Sequence, residues 1–145
     1  GAEDFARSHP GGSLGRQLLT RIRDVMRTGE AVPTILPNAS VAEATREISR
    51  GGIGMTVVVT PEREILGIFT DGDLRRAIVN NLDLQALTVA DIMTRKPRLI
   101  GPEKLTAEAV EMMDKHRINQ IPVADENGRL IGALNMHDLF HARAI

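Results

Sequence analysis

The sequence of 145 residues contains no cysteine, no tryptophan, no tyrosine and only three phenylalanines. Without cysteine the chain forms neither disulfide bonds nor thiolate metal sites, which fits a reducing compartment. So few aromatic rings argue against a surface that stacks nucleic-acid bases. A net charge of −1, with no block of basic residues, argues against binding to the phosphate backbone of nucleic acids.

Long apolar runs are also absent, because none approaches the ~20 residues that cross a bilayer. The first residues, "GAEDFARSHPGG", are polar and glycine-rich and do not resemble a signal peptide. Hydrophobic residues make up 42% and charged residues 26%, as in an ordinary globular protein. We therefore expect a soluble, cytoplasmic protein that binds neither membranes nor nucleic acid, with one domain or two small halves that share a core.

The sequence contains an internal repeat. Asp138 lies 65 positions after Asp73, and the same separation matches residues 40–75 to the second half without a gap. The matched pairs include Glu43 with Glu108, Ile53 with Ile118, Val58 with Val123, Gly67 with Gly132 and Leu74 with Leu139. After a two-residue adjustment, "RDVM" at 23–26 also aligns with "ADIM" at 90–93. The chain is therefore predicted to be two copies of one unit.

Each copy shows the pattern strand, helix, strand, strand, helix. In the first copy, a short strand at 34–36 precedes a capping box, Ser40 with Glu43, that begins a helix. β-branched runs then predict strands at 55–59 and 65–69, and a closing helix follows. In the second copy the corresponding strands are predicted at 98–100, 121–124 and 130–134.

A unit of roughly 55 residues buries too little apolar surface to be stable alone, so the copies are expected to pack sheet against sheet. The predicted fold class is α+β, with two strand-helix-strand-strand-helix repeats related by an approximate two-fold axis. We assign 17–79 to the first repeat, 80–88 to a linker, 89–145 to the second repeat and 1–16 to a preceding tail. Asp73 and Asp138 are expected near opposite clefts of one groove between the sheets.

The most informative stretch is "GIFTDGDLR" at 67–75, where a strand ends and a helix begins. A helix start favours an anion, and the Thr70 hydroxyl can donate a hydrogen bond to a phosphate. Asp73, one turn into the helix, can accept hydrogen bonds from the two hydroxyls of a ribose. Arg75 and Arg76 add positive charge nearby. The turn therefore suits a nucleotide.

Gly67 and Gly72 keep the backbone around this turn uncrowded, so that a ligand can approach closely. Helix capping is the alternative role for the threonine and the aspartate, and a single copy of the pattern is weak evidence for a ligand. The second copy, with Asn135, His137 and Asp138, strengthens the interpretation of a binding site.

Met55 is expected to flank the first cleft, where its thioether can pack against a base, although core packing is the alternative. His137 and His141 have the spacing that places two imidazoles on one helix face. A third convergent ligand is not evident, so no metal site is predicted.

The two repeats, each ending in a glycine, a small polar residue and an aspartate, resemble a pair of CBS domains over 22–145. Such pairs form disc-shaped modules, often dimeric, that bind adenosine or other nucleotides in clefts between the repeats. The resemblance implies that Thr70 contacts phosphate and that Asp73 contacts ribose. The second repeat departs from the family pattern, with Asn135 where threonine or serine is usual and His137 where the first copy has glycine.

The stretches "EDFARSHPGGSLGRQLL", "GMTVVV" and "NMHDLF" are similar to the C-terminal part of the D-arabinose 5-phosphate isomerase family. Members join a sugar-isomerase domain to a CBS pair, and they make arabinose 5-phosphate from ribulose 5-phosphate for synthesis of the lipopolysaccharide sugar Kdo. The resemblance places His9 at a catalytic position of the isomerase domain. Residues 1–16 are then the end of that domain, and the chain itself is expected to be a regulatory module rather than an enzyme.

The resemblance implies no required cofactor and two candidate ligands. One is an adenosine nucleotide, and the other is CMP-Kdo, the pathway's end product, in which cytidine monophosphate is joined to Kdo. The expected partners are this effector, the isomerase domain and a second copy of the pair. The alternatives are a structural dimerisation module that binds no ligand and a catalytic fragment. Thermal stabilisation by a nucleotide would separate a sensor from a structural module.

Overall fold

The computed structural model describes residues 19–142, so the predicted tail 1–16 and His9 lie outside the described residues. The first half contains α1 Ile22–Val25, a 3₁₀ turn Gly29–Ala31, β1 Thr34–Ile35, α2 Val41–Gly51, β2 Met55–Val59, β3 Ile65–Thr70 and α3 Asp71–Val79. The second half contains α4 Val89–Ile92, β4 Thr94–Arg95, α5 Thr106–His116, β5 Gln120–Ala124, β6 Leu130–Asn135 and α6 Met136–His141. The predicted α+β fold of two repeats is confirmed.

Two sheets form the centre of the molecule. The strands of the first sheet lie in the order β1-β2-β3-β4, and the second sheet pairs β5 with β6. β1 and β2 are parallel, whereas β2 with β3 and β5 with β6 are antiparallel hairpins. Each hairpin turn contains one left-handed residue, Arg63 in the first and Gly128 in the second, 65 positions apart.

Each half contributes a segment to the sheet of the other half. β4 follows the linker, yet it pairs with β3 of the first repeat, where Thr94 lies opposite Ile68. Arg27, near the start of the first repeat, pairs in the same way with Ala133 on β6 of the second repeat. The separation of 65 matches Ile68 to Ala133, so the exchange is reciprocal, as an approximate two-fold axis requires.

Gly67 and Gly132 lie where the exchanged segments cross the hairpins. A Cβ atom at Gly67 would lie 2.5 Å from the carbonyl oxygen of Thr94, and one at Gly132 would lie 2.8 Å from the carbonyl oxygen of Arg27. Both distances are below any real carbon–oxygen contact, so the crossing requires glycine. The interpretation of Gly67 as space for a ligand is therefore wrong, because the backbone of the exchanged segment occupies that space.

The strand predicted at 98–100 is reduced to a single parallel bridge between Ile100 and Val123. In the first repeat, the amide of Val57 donates to the Pro33 carbonyl at 3.0 Å and extends the ladder between β1 and β2. The matching position in the second repeat is Pro122, which has no amide hydrogen to donate. The parallel ladder of the second repeat therefore ends after one bridge.

The apolar core has three parts. One lies between the two sheets and contains Val32, Ile53, Met55, Val57, Val59, Leu130 and Ala133. A second packs α2 and α4 against the first sheet, and a third packs α1, α5 and α6 against the second sheet. The two repeats thus pack sheet against sheet, as predicted. Within residues 19–142, no helix has the length and apolar character needed to span a membrane.

Candidate functional site

A cleft of about 480 Å³, here called cleft 1, opens beside the turn between β3 and α3. The first repeat and β4 supply Gly54, Ile68, Thr70, Asp71, Gly72, Arg75, Arg76 and Thr94, and the second repeat supplies residues 117–120. Thr70, Gly72, Arg75 and Arg76, four of the residues predicted from the sequence, therefore lie in one cavity. The cavity is formed by both halves of the chain.

A reciprocal capping box holds the turn at the base of cleft 1. The Thr70 hydroxyl accepts a hydrogen bond from the Asp73 amide at 3.1 Å, and the Asp73 carboxylate accepts one from the Thr70 amide at 2.9 Å. The same carboxylate oxygen also accepts from the Thr70 hydroxyl at 3.1 Å. The two residues thus act as caps, and this arrangement fixes the hydroxyl at the start of α3.

The Asp73 carboxylate is buried and is fully used within the protein. It is only 7% exposed, and its Oδ1 accepts from Arg76 at 2.7 Å and from the Thr94 hydroxyl at 2.8 Å. With the two bonds at Oδ2, four donors occupy the roughly four acceptor positions of a carboxylate. A ribose therefore reaches Asp73 only if one of these donors withdraws, and the Arg76 side chain is the more mobile candidate at 59% exposed.

Positive charge surrounds cleft 1. Arg75, Arg76 and Arg117 line it and are exposed, whereas Asp71 is the one acidic lining residue. Arg117 ends α5 with a φ of +54°, a left-handed conformation that is uncommon for a residue with a side chain. Since α3 also presents its N-terminal end here, the electrostatics of cleft 1 favour an anion.

The two halves are joined directly at cleft 1 through the Gly54 carbonyl. This oxygen accepts from the Asp71 amide at 3.3 Å and from the Gln120 side-chain amide at 3.4 Å. Asp71 begins α3, and Gln120 begins β5 of the second repeat. A ligand in cleft 1 would therefore contact the junction between the halves.

The turn between β6 and α6, with Asn135, His137 and Asp138, differs from the turn at cleft 1. The position beside it that matches cleft 1 in the repeat is here called cleft 2. Asn135 replaces threonine as the cap, and its side-chain oxygen accepts from the Asp138 amide at 2.7 Å. The Asp138 carboxylate forms a bidentate ion pair with Arg27, with distances of 2.9 Å from Nε and 3.0 Å from Nη2. Arg27 is the exchanged counterpart of Thr94, so a different exchanged side chain contacts the aspartate of each turn.

Met55 does not line cleft 1. Its side chain is completely buried between the two sheets, so the alternative of core packing is correct and the expected contact with a base is wrong. His137 and His141 stack on α6 with ring centroids 5.9 Å apart. Among residues 19–142, no group of three or more histidine, cysteine, aspartate or glutamate side chains is placed to hold a metal.

Three residues at the clefts were missed by reasoning from the sequence. Thr94 and Arg27 each follow the aligned segments "ADIM" and "RDVM", and that alignment was the available signal for their equivalence. Arg117 directly follows α5, at the position where the first repeat has Gly52. Glycine is the usual signal of a left-handed helix end, so that signal was present at Gly52 and absent at Arg117.

The fold and the two polar turns define a paired-repeat module with a ligand-sized cleft between the repeats. The sequence profile of the CBS domain matches residues 22–80 and 89–145. The chain belongs to the CBS domain family.

The chain is 47% identical over 141 residues to the arabinose 5-phosphate isomerase KdsD of Pseudomonas aeruginosa. The aligned residues make up 97% of this chain and 43% of that relative. It thus spans less than half of the length of this relative. Among solved structures, an uncharacterized conserved protein from Pyrococcus horikoshii is 30% identical, with a TM-score of 0.75 over 86% of this chain and 92% of that one. The CBS domain protein PAE2072 from Pyrobaculum aerophilum, complexed with AMP, is 23% identical, with a TM-score of 0.73 over 82% and 89%.

Proposed function

We propose that the chain is the regulatory module of an arabinose 5-phosphate isomerase and that it binds a nucleotide in cleft 1. The observation that carries the proposal is the composition of this cavity. A fixed threonine hydroxyl, the start of a nine-residue helix and three arginines converge on about 480 Å³ between two repeats. This combination provides donors and positive charge for a phosphate, with a carboxylate one turn away for a ribose.

The phosphate is proposed to lie against Thr70 and Gly72, within reach of Arg75 and Arg117. The ribose is proposed to lie against Asp73, whose Oδ1 becomes available when the exposed Arg76 side chain turns toward the phosphate. Arg76 would then exchange an internal ion pair for a contact with the ligand.

Two ligands suit this arrangement, an adenosine nucleotide such as AMP and the nucleotide sugar CMP-Kdo. The AMP complex of the Pyrobaculum protein concerns a relative that shares the fold at 23% identity, so the choice of ligand rests on the cleft itself. Three arginines against one aspartate suit a ligand with more than one negative charge, which the phosphate monoester of AMP and the phosphate and carboxylate of CMP-Kdo both provide. We favour CMP-Kdo, because an end product that binds an appended module can regulate its own synthesis.

The relatives that carry both an isomerase domain and this module suggest the partner that receives the signal. We propose that binding in cleft 1 changes the activity of a sugar-isomerase domain attached through the segment that contains His9. The CBS domain accounts for residues 22–80 and 89–145 of the chain, so the module itself is proposed to have no isomerase activity. Conversion of ribulose 5-phosphate by the isolated chain would contradict this assignment.

The proposal is tested by calorimetric titration of AMP and CMP-Kdo into the chain and two variants. Asp73→Ala removes the ribose contacts, each worth roughly 1.5–3 kcal/mol, so the affinity should fall at least about tenfold. Arg75→Gln removes a positive charge that attracts the phosphate. Among the described residues Arg75 forms no ion pair, so this substitution should leave the fold unaffected. Arg46→Gln on α2, outside the cleft, is the charge-matched control. Unchanged affinity in both cleft variants would remove cleft 1 from the function.

We also propose that the pair forms a homodimer. The end of α3 exposes Ile78 and Val79, and the segment after the helix exposes Leu82, with exposed fractions of 57%, 70% and 44%. Contiguous exposed apolar side chains of this kind mark interaction surfaces. Sedimentation should show a dimer that Val79→Lys dissociates. A chain that sediments as a monomer would contradict the proposal.

A further inference from the structure

We propose that Arg27 closes cleft 2 to ribose-bearing ligands by occupying the Asp138 carboxylate from within the chain, so that the pair binds one nucleotide, in cleft 1. This inference rests on the proposed function. Arg27 and Thr94 are equivalent in the repeat. Arg27 pairs with Ala133 as Thr94 pairs with Ile68, and each side chain then contacts the aspartate of the neighbouring turn.

The two contacts differ in how much of the carboxylate they occupy. Thr94 donates one hydrogen bond, to a single oxygen of Asp73. Arg27 donates to both oxygens of Asp138, at 2.9 and 3.0 Å, in the bidentate geometry that gives arginine–carboxylate pairs their strength. Apart from the Asn135 amide at 3.4 Å, the contacts of the Asp138 carboxylate thus come from one rigid group that binds both oxygens. Oδ1 of Asp73, by contrast, is held by single hydrogen bonds from two separate side chains, Arg76 and Thr94.

Arg27 is also held more firmly than Arg76, the residue that must move in cleft 1. Its third nitrogen donates to the Gly51 carbonyl at 2.8 Å, at the end of α2 in the first repeat. Its backbone exchanges two hydrogen bonds with Ala133, at 2.8 and 3.2 Å. The Arg27 side chain is 28% exposed, against 59% for Arg76. A ligand that displaces Arg27 must break all three side-chain contacts together.

Cleft 2 also lacks the basic rim of cleft 1. The positions that match Arg75, Arg76 and Arg117 at a separation of 65 are Phe140, His141 and Gly52. An opened cleft 2 would thus retain the ribose-binding carboxylate without the groups that attract phosphate. It should accept nucleosides, and it should bind them roughly tenfold or more weakly than cleft 1 binds its nucleotide, because charge-assisted contacts to phosphate are missing.

The decisive variant is Arg27→Thr, which gives cleft 2 the residue that serves cleft 1. AMP, CMP-Kdo, adenosine and cytidine are titrated calorimetrically into the parent chain, Arg27→Thr and Arg27→Thr/Asp138→Asn, with thermal melts to verify folding. We expect at most one equivalent of any ligand on the parent chain. Arg27→Thr should gain a second, weaker equivalent of nucleoside, and the added Asp138→Asn change should remove it.

Several outcomes decide the inference. Two equivalents on the parent chain, or a folded Arg27→Thr variant with no additional equivalent, would overturn it. If Arg27→Thr does not fold, Asp73→Ala in the parent background decides: loss of all binding supports the closure of cleft 2, and one remaining equivalent overturns it. A parent chain that binds none of the four ligands would refute the proposed function alone, since a nucleoside equivalent gained by Arg27→Thr would still support the role of Arg27.

Discussion

Gly52 and Arg117 end α2 and α5 in the same left-handed backbone conformation, with φ angles of +70° and +54°. The two residues are 65 positions apart and are therefore repeat equivalents. Glycine adopts this conformation without a steric penalty, whereas a residue with a Cβ atom pays roughly 1–2 kcal/mol. In the second repeat the strained residue is Arg117, which lines cleft 1. Because strained residues cluster at functional sites, its conformation supports a role for Arg117 in this cleft.

Replacement of Arg117 by glycine should make the protein more stable and a weaker binder. Relief of the left-handed strain should raise the free energy of unfolding by about 1 kcal/mol, which is about 3–5 °C in melting temperature for a chain of this size. Loss of one positive charge from the rim of cleft 1 should weaken the binding of AMP or CMP-Kdo. Thermal denaturation and calorimetry measure the two effects separately.

Gly52→Ala is the matched control for this variant. It introduces the same strain in the other repeat, where an added Cβ atom would meet nothing within 4 Å. It should lower the stability by about 1 kcal/mol and leave binding in cleft 1 unchanged. A less stable Arg117→Gly variant would show that other contacts of the arginine outweigh the strain.

Because the exchanged segments cross the hairpins at Gly67 and Gly132, replacement of either glycine by alanine should lower the stability to a similar extent. An alanine Cβ at Gly67 would lie 2.5 Å from the Thr94 carbonyl oxygen, and one at Gly132 would lie 2.8 Å from the Arg27 carbonyl oxygen. Each substitution should therefore destabilise the protein by about 1–3 kcal/mol, as expected for overpacking against backbone. Gly101→Ala, where an added Cβ would meet nothing within 4 Å, is the control and should change the melting temperature little. Tolerance of alanine at either crossing would contradict the exchange.

The Thr56 hydroxyl on β2 is completely buried, and among residues 19–142 it has no hydrogen-bond partner. An unsatisfied buried hydroxyl costs about 1–3 kcal/mol, and valine replaces it with a methyl group of similar shape. Thr56→Val should therefore raise the free energy of unfolding by about 1 kcal/mol, measured by urea denaturation. Thr45→Val, which removes a hydroxyl that donates to the Val41 carbonyl at 2.8 Å, should show no such gain.

Stability should fall in mild acid because of His116. Partial burial, together with the positive charges of Arg98 and Lys115, holds the pKa of His116 below its ordinary value of 6.5. The unfolded chain then binds a proton near pH 6.5 while the folded chain does so only at lower pH, so acidification across that window favours unfolding. His116→Asn should flatten the fall in melting temperature below pH 6.5, and Arg98→Gln should flatten it in part. An unchanged pH profile in both variants would exclude His116 as the cause.

The helix, strand, strand, helix order within each repeat was predictable because its determinants are local. The β-branched run at 55–59 forms β2, as its residue types predict. Thr70 and Asp73 form the cap that begins α3, so the start of this helix also follows from neighbouring residues. The strand predicted at 98–100 failed for a reason that is not local. The missing donor belongs to Pro122 on the neighbouring strand, and its effect appears only once the two segments are paired.

The composition of cleft 1 was only partly predictable. Thr70, Gly72 and Arg75 belong to one turn and its helix, so any structure with that turn places them together. Thr94 and Arg117 come from distant segments, and they reach the cleft because β4 crosses into the other sheet and α5 ends beside α3. The number of donors that occupy Asp73 depends on this meeting, so it was not visible in the sequence.

The competition for Asp73 gives the last prediction. If Arg76 must withdraw before a ribose can bind, Arg76→Met should remove the competing donor while it keeps the apolar stem of the side chain. An exposed ion pair contributes at most about 1 kcal/mol, so the affinity for the uncharged nucleosides adenosine and cytidine should rise up to about fivefold. For AMP and CMP-Kdo the gain is offset by the loss of attraction to phosphate, so their affinity should stay level or fall. Arg46→Met on α2 is the control and should change neither the affinity for the nucleosides nor the affinity for AMP and CMP-Kdo. If nucleosides bind Arg76→Met less tightly than the parent chain, Arg76 supports the sugar site instead of competing with it, and the proposed exchange of partners at Asp73 is wrong.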